Sequence, residues 1–292
     1  MRYNPPLPAT PEEIQQICVD IILTKGRRAQ RALRGYHRLL RLHERKLQPV
    51  INEWLDWTAQ TLRAGLQRMH GKTAGAKVKS LANWDEIRAR GDELLKPALF
   101  EILEAGGNSV MGQRIKKQER FDPIGIEAIT WTTEHTAELV VEITDTTMLA
   151  IREYITVGIN EGKSIQTIAM ELRPLVGLTE KDIMAVANYH EMLILERPEY
   201  TAATQRQMAD TYARRLHRQR ATLIARTETA YSLSEGARQG YAQMGATKLE
   251  RVEDPDACDE CKDNNGRIYT IAEAEGVLPA HPACEGAWVV AV

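Results

Sequence analysis

The chain has 292 residues, with 38 basic and 40 acidic side chains, a formal net charge of −2 and 43% hydrophobic residues. This composition is typical of a globular protein of one large or two smaller domains, which excludes a chain that is disordered throughout. No segment approaches the roughly 20 apolar residues of a membrane-spanning helix, and the first residues lack the apolar core of a secretory signal. We therefore expect no membrane span and a protein made in a reducing cytoplasm.

The first part of the chain predicts two long helices. Thr10, Pro11 and Glu13 have the pattern of a capping box with proline in the first helical position, and Pro49 predicts a kink or an end of this helix. A second helix is predicted from Ile51. Apolar side chains and one threonine recur at helical spacing and predict the buried faces: Ile14, Ile17, Ile21, Leu33, Leu40, Leu47, Trp54, Leu55, Thr58, Leu62 and Leu66.

The middle of the chain predicts further helices. After a loop rich in glycine and lysine at 71–80, a helix is predicted from Asn83 to Ala105, ended by Gly106–Gly107. Another runs from Pro123 to Ile159, and a short one follows Ser164. The predicted core residues of the long helix are Ile126, Ile129, Ala137, Val140, Val141, Ile143, Met148 and Ile151.

Two more helices complete the predicted helical body. Thr179 begins one that Pro198 stops, and the last extends from near Thr201 to Met244. Beyond Leu249, β-compatible segments at 267–271 and 287–292 replace the helical periodicity, and Asn265–Gly266 predicts a tight turn just before the first of them. The sequence therefore predicts a mainly α fold: an elongated multi-helix body over residues 1–245 and a small α+β module over residues 246–292.

The first predicted helix carries a stripe of arginines. At 100° per residue, six arginines fall close to one line, while Leu33, Leu40 and Leu47 lie opposite. We refer to these six as the arginine stripe: Arg27, Arg31, Arg34, Arg38, Arg41 and Arg45. The stripe indicates contact with a polyanion or an acidic protein surface, or else a solvated face whose charges pair with acidic neighbours.

Three of the four cysteines lie in the last 35 residues. Cys258-Asp-Glu-Cys261 precedes His281-Pro-Ala-Cys284, and two such two-residue spacers can aim four ligands at one centre. We interpret these residues as a structural Zn²⁺ site with no open coordination position. Ordinary free thiols in a hairpin, or a redox pair, are the alternatives.

The charge of the predicted module argues against a nucleic-acid-binding finger. From Glu250 to Val292 there are ten acidic and three basic residues, which gives −7. Such a surface repels phosphates and favours protein docking.

Arg226 and Glu228 lie before the module, in the last predicted helix. Two positions apart on a helix, they point in nearly opposite directions and cannot pair with each other. Each therefore needs its own partner. We predict that both brace the module against the helical body.

These motifs resemble one known family. The segment Ala225-Arg-Thr-Glu-Thr229, the helix end between Gly240 and Gly245, Cys258-x-x-Cys261, the Asn265–Gly266 turn and His281-Pro-x-Cys284 together resemble the phage head morphogenesis proteins of the Mu F-like family. The resemblance is strongest over 222–290. One departure concerns Glu285, which stands where an arginine commonly follows the final cysteine.

The resemblance implies a non-enzymatic minor head protein of the virion. It would bind the phage portal protein and other head proteins at the portal vertex inside the capsid, after assembly in the host cytoplasm, and act in head assembly, DNA packaging or DNA delivery. The stripe would contact packaged DNA or an acidic portal surface. The alternative is a zinc-containing nuclease associated with packaging, which predicts DNA cleavage with Mg²⁺ or Mn²⁺.

Overall fold

The computed structural model describes residues 11–68, 80–111, 120–160, 162, 167–168 and 175–291. As predicted, this part of the chain is mainly helical and ends in a small module with strands. Its elements are, in order, α1 Pro11–Arg68, α2 Trp84–Met111, α3 Ile126–Asn160, α4 Glu180–Glu196, α5 Ala202–Gln243, β1 Lys248–Val252, α6 Asp259–Asn264, β2 Ile268–Thr270 and β3 Ala287–Val290. None of these helices combines the length and apolarity that a bilayer crossing requires.

Helix α1 continues through Pro49, so the prediction of a separate helix from Ile51 is wrong. Proline inside a helix costs about 3 kcal/mol because it removes one hydrogen bond and crowds the preceding turn. Leu47 and Ile51 on either side are almost fully buried in one core, and each such burial contributes about 1.5–3 kcal/mol. Packing on both sides of Pro49 therefore offsets its cost.

Helix α2 also continues through its predicted stop at Gly106–Gly107 and ends at Met111. These glycines face neighbouring elements: a Cβ added to Gly106 would lie 2.4 Å from the carbonyl oxygen of Leu233 in α5. On the other helix, a Cβ on Gly236 would lie 2.0 Å from the carbonyl oxygen of Leu103. The glycines thus permit close contact between α2 and α5 rather than ending a helix.

The buried face of α3 differs in part from the prediction. Val140, Ile143 and Ile151 are buried as predicted, whereas four predicted core residues are exposed: Ile126, Ile129, Ala137 and Val141. Threonines occupy much of the buried face instead: Thr132, Thr136, Thr144 and Thr147. The hydroxyls of Thr132 and Thr136 donate to carbonyls four residues earlier, at 2.8 and 2.6 Å. This satisfies a buried polar group without leaving the helix.

The predicted start of a helix at Thr179 is confirmed: its side chain accepts a hydrogen bond from the Asp182 amide in a capping box. The last helix begins close to Thr201 as predicted, and the Thr201 side chain caps it by accepting from the Thr204 amide. Helix α5 ends just before Gly245, which has φ +78°. Several predictions fall outside the described residues: Thr10, the side chains of Ile14, Ile17 and Ile21, the loop at 71–79, and Ser164 with residues 165, 166 and 169–172.

The module consists of a three-stranded antiparallel sheet in the order β2-β1-β3. Alternate side chains of β3 point to opposite faces. Ala287 and Val289 pack against Leu33 of α1, while Trp288 packs with Tyr241 of α5. Both faces of β3 are therefore covered by the long helices, and this positions the cysteine-rich loops that lead to it.

Candidate metal centre

The four predicted ligands lie together beside this sheet. The Cys258 and Cys261 sulfurs lie 3.2 and 3.1 Å from Nε2 of His281, and the Cys261 and Cys284 sulfurs are 3.7 Å apart. In a tetrahedral zinc site, bond lengths of about 2.3 Å to sulfur and 2.05 Å to nitrogen place two sulfurs about 3.8 Å apart and a sulfur and nitrogen about 3.6 Å apart. Cys258, Cys261 and His281 therefore offer three ligand atoms close enough together for one metal ion, and the Cys284 sulfur approaches this group through Cys261.

The local backbone conformation orients the side chains of each pair of candidate ligands toward the same point. Cys258 is the N-cap of α6, so that Cys261 in the first turn of this helix points to the same centre. Between His281 and Cys284 the backbone forms a tight turn. Ala283 in this turn has φ +62°, and the Cys284 amide donates to the His281 carbonyl oxygen at 3.0 Å. A left-handed residue other than glycine is unfavourable, so the surrounding structure must hold this turn. The predicted Asn265–Gly266 turn is present as well and returns the chain to β1.

The imidazole of His281 is held in the tautomer that metal binding requires. Its Nδ1 lies 2.9 Å from the Pro282 carbonyl oxygen, which can only accept a hydrogen bond, so Nδ1 carries the proton. Nε2 then presents its lone pair to the sulfurs. Histidine ligands of metals are commonly oriented by such a contact on the other ring nitrogen.

The thiols occupy different environments. Cys258 is exposed, and a hydrogen bond from the backbone amide of Cys261 lowers its pKa. Cys261 and Cys284 are buried, and burial raises the pKa of Cys261 to about 12. A metal ion at the centre would stabilise the buried thiolate, because thiol ligands bind metals in their deprotonated form.

A buried ion pair lies behind the sulfurs and was missed by the sequence reasoning. Arg251 of β1 donates from Nε to the Glu253 carboxylate and from Nη2 to the Cys261 sulfur, at 3.4 Å for the second contact. Oxygens of Glu253 lie within 4.8 Å of the Cys261 and Cys284 sulfurs. Gly286 leaves room for this carboxylate, since a Cβ there would lie 2.4 Å from it. The only available signal was two charged residues on the same face of a short strand.

Arg226 and Glu228 have separate partners, as their spacing requires. Arg226 forms an ion pair with Glu285, the residue after the last cysteine, and His37 of α1 lies 3.4 Å from the same carboxylate. Glu228 instead contacts His135 of α3 at 2.7 Å. Arg226 thus joins the module to α5 while Glu228 contacts another helix. The bracing role of both residues stays a prediction, and the departure at Glu285 supplies a partner that the motif alone did not predict.

The arginine stripe lies on the outside of α1. All six of its arginines are exposed, and none forms an ion pair with a carboxylate in the part of the chain that the structure describes. Arg41 and Arg45 line a cavity of about 380 Å³ that Arg226 and Glu285 also border. The alternative of a stripe paired with acidic neighbours finds no support among the described residues.

Comparison with known proteins identifies one family. The family described as Phage Mu protein F like protein matches residues 150–288, just under half of the chain. The matched segment includes α4, α5 and all four candidate ligands. No curated protein and no solved structure matches the chain.

Proposed function

We propose that this chain is a minor head protein of the Mu F-like phage head family, and the match of residues 150–288 to the family supports this proposal. It would bind the portal protein and other head proteins at the portal vertex inside the capsid, after assembly in the host cytoplasm. Its role would be in head assembly, DNA packaging or DNA delivery, without enzymatic activity. The observation that carries this proposal is the family match over the segment that links α5 to the cysteine-rich module.

The geometry supports different roles for the long helices and for the module in such a protein. The long helices would supply the docking surfaces, and the module would fix α1 relative to α5 through its covered sheet and through the Arg226–Glu285 pair. Zn²⁺ would be held by Cys258, Cys261, His281 and Cys284 as a structural ion. With four protein ligands it keeps no position for water, so it would stabilise loops rather than activate a nucleophile.

The zinc proposal is tested by elemental analysis of the protein after mild purification. We expect about one zinc per chain in the unaltered protein and in Cys18→Ser, which removes a thiol outside the motif, but little in Cys284→Ser. Less than about a tenth of an equivalent in the unaltered protein would overturn the proposal.

The head-protein proposal is tested by producing the chain with the head and portal proteins of its own phage and isolating the assembled particles. We expect a few copies per particle, and co-purification with portal rings when portal protein alone is present. Charge reversal of Arg226 to Glu should reduce incorporation, because it places two carboxylates together at the junction with Glu285. Absence of the unaltered protein from both particles and rings would contradict the proposal.

A further inference from the structure

The arginine stripe is one part of a larger basic surface that includes α5. The exposed Arg215 and Arg218 of α5 border a cavity of about 370 Å³ together with Arg226. Arg226 also borders the cavity of about 380 Å³ that Arg41 and Arg45 line. The two cavities share this side chain, so the end of the stripe on α1 and the arginines of α5 lie next to each other.

A direct hydrogen bond joins the two helices. Nε2 of Gln48, three residues after Arg45, donates to the hydroxyl of Thr222, four residues after Arg218, at 2.6 Å. At 1.5 Å per residue, Arg27 and Arg45 are about 27 Å apart along α1, so the basic surface is longer than a single ion-binding pocket. We call it the two-helix arginine surface and define it by eight residues: Arg27, Arg31, Arg34, Arg38, Arg41, Arg45, Arg215 and Arg218.

The charges of this surface are available to a partner. All eight arginines are exposed, and none forms an ion pair with a described carboxylate. Glu44 lines one of the cavities, while Arg226 already pairs with Glu285. Unpaired guanidiniums in a row repel one another, and a polyanion relieves this repulsion by displacing small counterions.

The distribution of exposed apolar residues favours nucleic acid over protein as this partner. Eight of the thirteen exposed large apolar side chains of the described chain lie on α3 and α4, whereas α1 and α5 each expose one, Leu42 and Leu223. Protein interfaces usually have an apolar centre, whereas nucleic-acid interfaces are polar and strongly positive. The two-helix arginine surface matches the second description.

We propose that the two-helix arginine surface binds double-stranded DNA through its phosphates, without reading the base sequence. The proposal rests on the proposed function, since a protein inside the head faces the packaged genome. Duplex DNA carries about one negative charge per 1.7 Å of its axis, and a row of exposed guanidiniums can meet several of these charges.

The proposal is tested with fluorescence anisotropy on two 24-base-pair duplexes of unrelated sequence, at salt concentrations from about 50 to 200 mM. We expect equal affinity for both duplexes and a slope of log K against log salt no steeper than about −7 for eight contacts. Arg215→Gln/Arg218→Gln should make this slope shallower by about 2. The matched control Arg152→Gln/Arg206→Gln removes two exposed arginines outside the surface and should keep the original slope.

Circular dichroism of each variant establishes that the helices are intact before binding is compared. A slope for the α5 variant equal to that of the control would overturn the proposal, as would binding of only one duplex. Binding of poly-glutamate but not DNA would also overturn it and would indicate an acidic protein partner. The head-incorporation experiment is independent, so loss of DNA binding with normal incorporation refutes only this inference.

Discussion

Arg251 directly contacts the candidate metal centre without being one of its proposed ligands. Its guanidinium contacts the Glu253 carboxylate and the Cys261 sulfur inside the module, where its side chain is only 3% exposed. If zinc is bound by three thiolates, the centre is anionic, and the neighbouring carboxylate adds further negative charge. The positive charge of Arg251 then offsets this excess and orients one of the sulfurs.

We predict that Arg251→Gln weakens zinc binding by about 10–100-fold, the usual effect of losing a residue that supports a metal ligand. Zinc release to a chromophoric chelator measures this change. Arg267→Gln is the control, because Arg267 is an exposed arginine of the same module. Equal zinc release from the two variants would show that Arg251 has no such role.

The sequence indicates the candidate ligands but not the residues around them. Cys258, Cys261, His281 and Cys284 were recognisable because their spacing is local. The contacts of Glu285 with Arg226 and His37 were not, since they join distant parts of the chain: His37 and Glu285 are 248 positions apart. Local spacing predicts a motif, while such partners are determined by the fold.

At the scale of elements, the close contact of α2 with α5 explains why glycines occur inside these two helices. Glycine in a helix normally costs about 1 kcal/mol relative to alanine, and this supported the prediction that Gly106–Gly107 ends α2. In the structure these glycines face Leu233 and Phe121, so the missing side chains are what permits packing. Sequence periodicity gives the existence of a helix, but it does not show which neighbour lies against a glycine.

We predict that Gly236→Ala destabilises the protein by about 1–3 kcal/mol, because the new Cβ would overlap the carbonyl of Leu103 and force the helices apart. Gly35→Ala in α1 is the matched control: no atom lies within 4 Å of the added Cβ, so stability should rise by up to about 1 kcal/mol. Urea unfolding measures both changes. A stabilising Gly236→Ala would contradict the close contact.

For the whole molecule, acid should weaken the packing of the long helices. Burial lowers the pKa of His43 in α1 and of His217 in α5. Because these pKa values are lower in the folded than in the unfolded protein, the unfolded chain binds more protons as the pH falls below about 6.5. The free energy of unfolding should therefore decrease from about pH 7 downwards and level off below the folded pKa values.

Urea unfolding at pH 7.5 and 5.5 measures this effect, a range of about 2 units around the unfolded histidine pKa. We expect His43→Gln/His217→Gln to lose less stability between these values than the unaltered protein does. His190→Gln removes a histidine elsewhere, on α4, and should behave like the unaltered protein. An equal loss in the double variant and the control would exclude these two histidines as the cause.

The general organisation of the molecule could be predicted because amino-acid composition and the spacing of apolar residues determine which segments form helices and strands. The helical character, the strands near the carboxyl end, the cap at Thr179 and the family resemblance are all confirmed. The buried face of α3 could not be read in the same way. The hydroxyls of Thr132 and Thr136 are satisfied within the helix, so these two threonines can replace apolar residues in the core without an apolar signal.

The contact between α1 and β3 can form only late in synthesis, because these two elements lie near opposite ends of the chain. Leu33 is covered by β3, and the partners His37 and Glu285 are separated by 248 positions. At about 5–20 residues per second, the ribosome needs roughly 12–50 s to make the intervening chain. Throughout this interval the apolar face of α1 that β3 covers in the folded protein has no partner from the module.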